Sequence, residues 1–197
     1  MRTVVAAALV TVAAVAAAAS PVARVGKPAP GFTLKDSAGN TVVLAKLRGK
    51  IVVLEWMNPD CPFWKRHAAR GTMTKLAGQY APQGVVWFAV NSTAHLPREQ
   101  DAWAREAFKL PYQILDDRAG RVGRAYGAKT TPHMFVISAD GRLAYAGAID
   151  NDPSGAGGAG VVNYVGQALG ELLAGKPVSV PETKSYGCSV KYAKQER

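Results

Sequence analysis

Short runs of apolar residues alternate along this chain with longer segments in which apolar residues recur every three or four positions. The continuous runs have the length of strands and are typical of strands buried on both faces of a sheet. They predict strands over 51–56, 85–90, 112–115, 134–137 and 143–149. The segments of helical period predict helices over 62–80, 97–109, 119–126 and 161–173.

Two turns rich in glycine and polar residues predict β-hairpins. One lies at 37–40, inside the alternating segment 26–50, and the other at 139–142 joins the strands 134–137 and 143–149. The order of elements is then hairpin, βαβ unit, helix, strand, helix, hairpin and helix. That order predicts an α/β fold whose central mixed sheet carries helices on both faces.

The two ends of the chain differ from this domain, which we place at 26–175. Residues 1–19 combine a positive start with an uncharged Ala/Val run and a small-residue pattern before Ser20, which predicts a cleaved signal peptide. An uncleaved membrane anchor is the alternative, although the run is short for a span. Either interpretation predicts an exported protein, periplasmic or extracellular. Residues 176–197 are expected to form a polar, extended tail.

The charge of the chain limits its partners. A net charge of +10 comes from 24 basic and 14 acidic residues, and the basic residues are scattered along the sequence. Aromatic residues do not interleave with them as a nucleic-acid surface needs, so no nucleic-acid partner is expected. A solvated basic face is the simplest interpretation, and attraction to an acidic partner or an anionic membrane surface is the alternative.

Cys61 is the residue on which the predicted chemistry centres. It follows a strand and a short loop, and Pro62 suits the first position of a helix. The free amides and the positive end of the helix dipole there favour thiolate over thiol. We therefore expect a reactive nucleophile, and an inert buried cysteine is the alternative. Two cysteines and three histidines are too few for a zinc finger or cluster, so neither a metal nor a cofactor is expected.

A series of motifs carries a family resemblance. They are Gly-Lys-Pro-Ala-Pro-Gly-Phe-Thr-Leu from Gly26, Leu-Arg-Gly-Lys from Leu47, Trp-x-x-Pro-x-Cys-Pro from Trp56, Thr131-Pro132, and Gly-Cys-Ser-Val-Lys-Tyr from Gly187. In these motifs the chain resembles the thioredoxin-like superfamily, and within it the peroxiredoxin-like branch (alkyl hydroperoxide reductase/thiol-specific antioxidant, or redoxin). The resemblance covers nearly all of the chain after the signal segment. It implies a thioredoxin-like fold with an N-terminal β-hairpin and a redox-active cysteine with antioxidant activity.

The resemblance also assigns places to residues around the thiol. Thr131 and Pro132 match a cis-proline turn that faces the reactive sulfur and offers backbone to an extended partner. Glu55 matches the buried acid that helps to move protons in thioredoxins, and a buried ion pair is the alternative. His67 lies where some exported thioredoxins keep an acid near the sulfur, and a solvated helix residue is the alternative. His133 is interpreted more simply as a structural residue than as a base.

Three positions depart from the better-known patterns. Trp64 stands where thioredoxins have the second cysteine of Cys-x-x-Cys, and Asn58 stands where peroxidatic sites have a threonine. Those sites also use an arginine near the place of Thr131-Pro132-His133. The site therefore resembles that of a thioredoxin with one cysteine missing. Its neighbours in sequence are expected to support it: Trp56, Asn58 and Pro62.

Cys188 is the natural resolving partner for Cys61, because thiol–disulfide exchange needs only access and a thiolate. A permanent structural disulfide, or a thiol used between chains, is the alternative. We expect an exported thiol-dependent oxidoreductase that acts on oxidised protein or small-molecule thiols, or on hydroperoxides, with an external thiol as reductant. Two other classes stay open. One is a non-catalytic thioredoxin-fold binding protein, and the other is a copper carrier that uses Cys61, His67 and His133 as ligands.

Overall fold

Nine strands and five α-helices build residues 22–194, the part of the chain that the computed structural model describes. The strands are β1 (Thr33–Asp36), β2 (Thr41–Val43), β3 (Val52–Met57), β4 (Val86–Asn91), β5 (Gln113–Asp116), β6 (Thr130–Thr131), β7 (His133–Ile137), β8 (Leu143–Gly147) and β9 (Cys188–Ser189). The helices are α1 (Pro62–Arg70), α2 (Thr72–Tyr80), α3 (Glu99–Ala107), α4 (Arg121–Tyr126) and α5 (Tyr164–Leu173). The signal peptide expected over 1–19 lies outside the described residues.

Seven of these strands form one mixed sheet in the order β2-β1-β5-β4-β3-β7-β8. The three strands β3, β4 and β5 run parallel, and the hairpins β1-β2 and β7-β8 add antiparallel strands on either side. The mixed sheet and both hairpins confirm the sequence prediction. Strand β3 lies between β4 and β7 and is buried at all of its residues, as its continuous apolar run indicates.

Alternation along β3 divides the core into two layers. Val53 and Met57 face a layer formed with α1, α2 and α5, and Cys61 belongs to that layer. Leu54 and Trp56 face the opposite layer, where α4 packs. Successive side chains of a strand point to opposite faces, so the layer a residue joins follows from its position in the strand. Helices therefore cover both faces, as predicted.

The single helix predicted over 62–80 is wrong, because the structure has two helices there. Gly71 separates them with a left-handed φ of +68°, and its N–H bonds to the carbonyl of Ala68. Glycine adopts this conformation without steric cost, and it commonly ends a helix in this way. The last helix begins at Tyr164 rather than at 161, because the side chain of Asn163 caps it by accepting the N–H of Gly166.

The C-terminal segment lies against the domain. The N–H of Thr183 bonds to Ala146 at the edge of β8, and the N–H of Val190 bonds to Lys129. The hydroxyl of Tyr192 donates to the carbonyl of Ala128 at 2.8 Å. Between these anchors, β9 pairs antiparallel with β6 to form a separate two-stranded sheet, which the apolar pattern does not predict. Within residues 22–194, no helix has both the length and the apolar character needed to span a bilayer.

Candidate active site

Cys61 lies at the N-cap of α1, one short loop beyond the end of β3. Asn58 shapes that loop, because its side-chain oxygen accepts the N–H of Asp60 and its carbonyl accepts the N–H of Cys61. Pro62 takes the first helical position, where a missing N–H costs nothing. The side chain of Cys61 accepts no capping hydrogen bond, but its sulfur lies at the helix start, where the first amide hydrogens are free of intrahelical partners.

The turn before β7 faces the same sulfur. The Thr131–Pro132 peptide bond is cis, as the sequence analysis predicts. The Sγ of Cys61 donates to the carbonyl oxygen of Thr131 at 2.9 Å. Cys61 is only 1% exposed, so the turn and its neighbours close over the thiol.

Cys188 completes this enclosure. It pairs directly with Thr131 in the β6–β9 ladder, and its side chain packs against the apolar cluster that contains Cys61. Residues that are 127 positions apart in the chain are thus adjacent in space. Cys188 is partly exposed and Cys61 is buried, so the tail cysteine lies on the outer side of the pair.

The two thiols have pKa values shifted in opposite directions. Burial opposes ionisation of Cys61, but hydrogen bonds from the thiol of Cys188, from Thr131 and from the N–H of Trp64 outweigh it and lower the pKa of Cys61. Burial and the nearby charge of Cys61 raise the pKa of Cys188 to about 11. Cys61 is therefore the thiol that ionises first, and the thiolate is the species that attacks disulfides.

Gly187 lets the tail approach the turn. Its φ is +129°, a conformation that side chains rarely adopt, and a Cβ added there would overlap the carbonyl oxygen of Thr131. The pairing of β9 with β6 therefore requires glycine at this position of the Gly-Cys motif, because there is no room for a side chain.

Glu55 lies fully buried in β3 and accepts three hydrogen bonds. The donors are the indole N–H of Trp64 at 2.5 Å, the indole N–H of Trp87 at 3.0 Å and the hydroxyl of Tyr112 at 2.9 Å. Burial raises the pKa of this carboxyl, and the three donors offset only part of the shift. These partners are neutral, so the ion pair considered as the structural alternative is wrong. Trp64 thus links the acid to the helix of the thiol, because its indole donates to Glu55 and it lies three positions after Cys61 on α1.

His67 is buried on α1 and joins the tail. Its Nε2 lies 2.9 Å from the hydroxyl of Tyr186, and its Nδ1 lies 3.3 Å from the hydroxyl of Thr72 and 3.9 Å from Asp150. Burial lowers the pKa of His67, and Asp150 opposes that effect. A solvated helix residue, the alternative considered from the sequence, is therefore wrong, since His67 is 3% exposed.

His133 and Trp56 lie on the opposite face of the sheet. They are register partners in the β3–β7 ladder, and Trp56 belongs to the layer that α4 covers. His133 accepts the N–H of Lys129, and burial lowers its pKa to about 4. The structure therefore does not bring His133 together with Cys61 and His67. Among the described residues, no three His, Cys, Asp or Glu side chains gather as a metal site.

The sequence did not single out three residues that contribute contacts to this site. Gly187 approaches the turn, Tyr186 bonds to His67, and Asp150 accepts the hydroxyl of Tyr186. Gly187 was visible as part of the C-terminal motif. Tyr186 and Asp150 carry no local signal, because their contacts join segments that are distant in sequence.

Comparison with known proteins agrees with this geometry. A family model described as the AhpC/TSA family matches residues 25–146. The thiol-disulfide oxidoreductase ResA of Halalkalibacterium halodurans is 33% identical over 121 residues, which are 61% of this chain and 66% of the relative. The chain therefore spans slightly less than two thirds of that relative's length.

Solved structures share the fold. An uncharacterised conserved protein from Geobacillus kaustophilus has a TM-score of 0.79 at 29% identity, over 88% of this chain and 94% of its own. A protein from Neisseria meningitidis that bears the provisional name thioredoxin has a TM-score of 0.55 at 28% identity, over 61% of this chain and 78% of its own. The thioredoxin-like α/β fold predicted from the sequence is confirmed.

Proposed function

The chain belongs to the AhpC/TSA family, and from that membership we propose that it is a thiol–disulfide oxidoreductase with Cys61 as nucleophile and Cys188 as resolving cysteine. The observation that carries this proposal is the pairing of Cys188 with Thr131, whose carbonyl oxygen lies 2.9 Å from the sulfur of Cys61 beside the cis-Pro132 turn. The thiol-disulfide oxidoreductase named among the relatives supports the same reaction class.

The reaction follows from the unequal acidity of the two thiols. The Cys61 thiolate attacks one sulfur of a partner disulfide, forms a mixed disulfide and expels the other partner sulfur as a thiolate. Cys61 then carries no charge, which removes one of the causes that raise the pKa of Cys188. The Cys188 thiolate attacks the Cys61 sulfur, forms the internal disulfide and releases the second partner thiol. Two equivalents of an external thiol then return the protein to its reduced form.

A partner must displace the tail to reach the nucleophile. Cys61 is 1% exposed while β9 covers it, and β9 occupies the edge of β6 next to the cis turn. When β9 leaves, the backbone of Thr131 becomes available to an extended partner, which is the role that the family resemblance gives to this turn. The substrate class proposed here is therefore a disulfide in an extended protein segment or in a small thiol compound.

Other parts of the proposal rest on the sequence. Export to the periplasm or the extracellular space is supported by the Ala/Val run of residues 1–19. Reduction of hydroperoxides by the same thiolate is supported by membership of the AhpC/TSA family.

The copper-carrier alternative loses its ligand set, because His67 and His133 lie on opposite faces of the sheet.

The experiment mixes the reduced full chain with excess oxidised glutathione and follows the products by mass spectrometry after acid quenching. The wild type is expected to lose two hydrogens and release two equivalents of glutathione. Cys188→Ser should stop at a glutathione adduct on Cys61, and Cys61→Ser should react at the background rate. Ser189→Ala, the neighbouring change on the same strand, should behave like the wild type.

Equal rates for the wild type and Cys61→Ser would contradict the proposal and favour a binding protein without turnover. The same samples treated with hydrogen peroxide test the second substrate. Loss of two hydrogens there, dependent on both cysteines, is the result expected of a peroxide reductase.

A further inference from the structure

Tyr186 joins the tail to two elements of the domain, two residues before Cys188. Its hydroxyl donates to Oδ1 of Asp150, which follows β8, and it lies 2.9 Å from Nε2 of His67 on α1. Its ring packs edge-on against Phe63, the second residue of α1, with the ring centroids 6.2 Å apart. The side chain of Tyr186 is thus held by α1, whose N-cap is Cys61, and by the segment that follows β8.

The hydrogen-bond roles in this cluster are consistent with one another. Because the hydroxyl of Tyr186 donates to Asp150, its oxygen accepts from His67, which assigns the ring proton of His67 to Nε2. The Nδ1 of His67 then accepts the hydroxyl of Thr72 at 3.3 Å. Asp150 and His67 are 6% and 3% exposed, so both partners of Tyr186 are fixed inside the domain.

The cluster has no place in the exchange reaction itself. The proposed steps use only the sulfurs of Cys61 and Cys188, with Thr131 and the start of α1 around them. Buried polar side chains need partners, yet a tail that served only to cover the sheet would bury apolar residues there instead. Tyr186 lies between α1 and the resolving cysteine, and this position indicates that its hydrogen bonds fix the part of the tail next to Cys188.

We propose that Tyr186 is a positioning residue for the resolving cysteine, held by Asp150 and His67 so that Cys188 stays against Cys61. This inference rests on the proposed function and identifies the residue that positions Cys188 for the second step of the proposed reaction. Beyond Cys188 the tail is held again at Val190, whose N–H bonds to Lys129. With both flanks fixed, Cys188 has little freedom to move away, and its effective concentration at Cys61 is high.

The test compares the stability of the internal disulfide in Tyr186→Phe and in the wild type. The full-length proteins are equilibrated in glutathione redox buffers, and the oxidised fraction gives the effective concentration of the two thiols. Phenylalanine keeps the ring on Phe63 and removes only the hydroxyl. Loss of a hydrogen bond to a charged group predicts a fall of about tenfold in the effective concentration.

Three further variants separate positioning from general stability. Tyr126→Phe removes a hydroxyl that donates to Pro30 at 2.8 Å on the opposite face of the sheet, and its redox equilibrium should equal that of the wild type. Asp150→Asn keeps an oxygen acceptor for Tyr186, and Asp150→Ala does not. The asparagine variant should therefore retain most of the effective concentration that the alanine variant loses.

The outcomes distinguish this inference from the proposed function. If the wild type forms no Cys61–Cys188 disulfide in any buffer, the resolving role fails, and the positioning role fails with it. If the wild type forms the disulfide and Tyr186→Phe has the same equilibrium, only the positioning role is overturned. An equal fall in Tyr186→Phe and Tyr126→Phe would also overturn it, because the loss would then be one of general stability.

Discussion

Cys61 and Cys188 are identical side chains in contact with each other, yet their pKa values are shifted in opposite directions. The difference lies in what surrounds each sulfur. Around Cys61, the thiol of Cys188, the side chain of Thr131 and the backbone of Trp64 outweigh burial. At Cys188, burial and the charge of Cys61 both favour the neutral form. The acidity of the two thiols therefore differs because their surroundings differ, and the helix start at Cys61 is the part of those surroundings that the sequence around Pro62 indicates.

The hydrogen bond from Cys188 to Cys61 can be tested by substitution. Cys188→Ser keeps a hydroxyl donor beside the Cys61 thiolate, whereas Cys188→Ala removes it. Because a donor stabilises the charged form, the pKa of Cys61 should be higher in the alanine variant than in the serine variant. The ultraviolet absorbance of the thiolate, followed against pH, measures both values. Coincident titration curves would show that Cys188 has no part in acidifying Cys61.

Glu55 is a buried acid whose three hydrogen-bond partners are all neutral. The residue at the place of the second thioredoxin cysteine is Trp64, and its indole bonds to the carboxyl. The acid therefore contacts two indoles and a phenol rather than a thiol. The sequence supplied Glu55 and Trp64, and only the packing of β3 under α1 showed that they bond to each other.

The raised pKa of Glu55 gives stability a definite dependence on pH. A carboxyl whose pKa is raised in the folded state stabilises the fold fully below its unfolded pKa of about 4.3. That contribution is lost as pH rises through the folded pKa, at about 1.4 kcal/mol for each unit of pKa shift. Relative to Glu55→Gln, the wild type should therefore lose stability as the pH rises above about 4. Urea unfolding of both proteins across this range is the measurement, and a constant difference would contradict the expectation.

At the scale of elements, β9 is the feature on which access to the site depends. Only two residue pairs join it to β6. Its close approach depends on Gly187, because a larger residue would meet the carbonyl of Thr131. A strand held by so few bonds opens more easily than a core strand. The structure thus has a closed site under a short strand, and the proposed reaction requires a partner to displace that strand.

Gly187→Ala is expected to release this cover. The added methyl group overlaps Thr131, and strain of about 1–3 kcal/mol would increase the open population about tenfold. Alkylation of Cys61 in the Cys188→Ser background should accelerate by that factor. Gly158→Ala is the matched control, because its φ of +121° is similar and nothing lies within 4 Å of the added atom. Equal alkylation rates in the two variants would show that β9 does not limit access.

The elements with a recognisable apolar pattern were predictable from the sequence, and the two-residue strands were not. The apolar run of β3 has enough residues to indicate a buried strand, and the helical period after Pro62 indicates α1. Strands β6 and β9 have two residues each, too few for any period to register. Their pairing depends on a tertiary contact between the cis turn and the tail. The sequence of neither segment predicts that it pairs with the other.

At the scale of the whole molecule, the two cysteines join the start of α1 to the tail. A disulfide between them would close a loop spanning 127 positions. Such a crosslink would restrict the unfolded chain much more than the folded one, in which Cys188 already pairs with the turn beside Cys61. The proposed disulfide would therefore couple the stability of the protein to its redox state.

Oxidation should raise the free energy of unfolding by about 2–4 kcal/mol. Denaturant unfolding of the oxidised and reduced full chain, without free thiol in the oxidised sample, measures this difference. Cys188→Ser serves as the control, since the same oxidising treatment should leave its stability unchanged. Equal stability of the two wild-type forms would be incompatible with a Cys61–Cys188 disulfide in the folded protein.

The sequence by itself determined the α/β fold and the place of Cys61 at a helix start, because each depends on a few consecutive residues or on a sustained period. The cis-Pro132 turn was predicted from the family resemblance of Thr131-Pro132. The tertiary structure alone decided that Cys188 pairs with the turn beside Cys61, that Glu55 bonds to Trp64 and that His67 bonds to Tyr186, whereas His133 lies on the other face of the sheet. These contacts depend on which face of the sheet each residue reaches and on the path of the tail, and no local pattern encodes either.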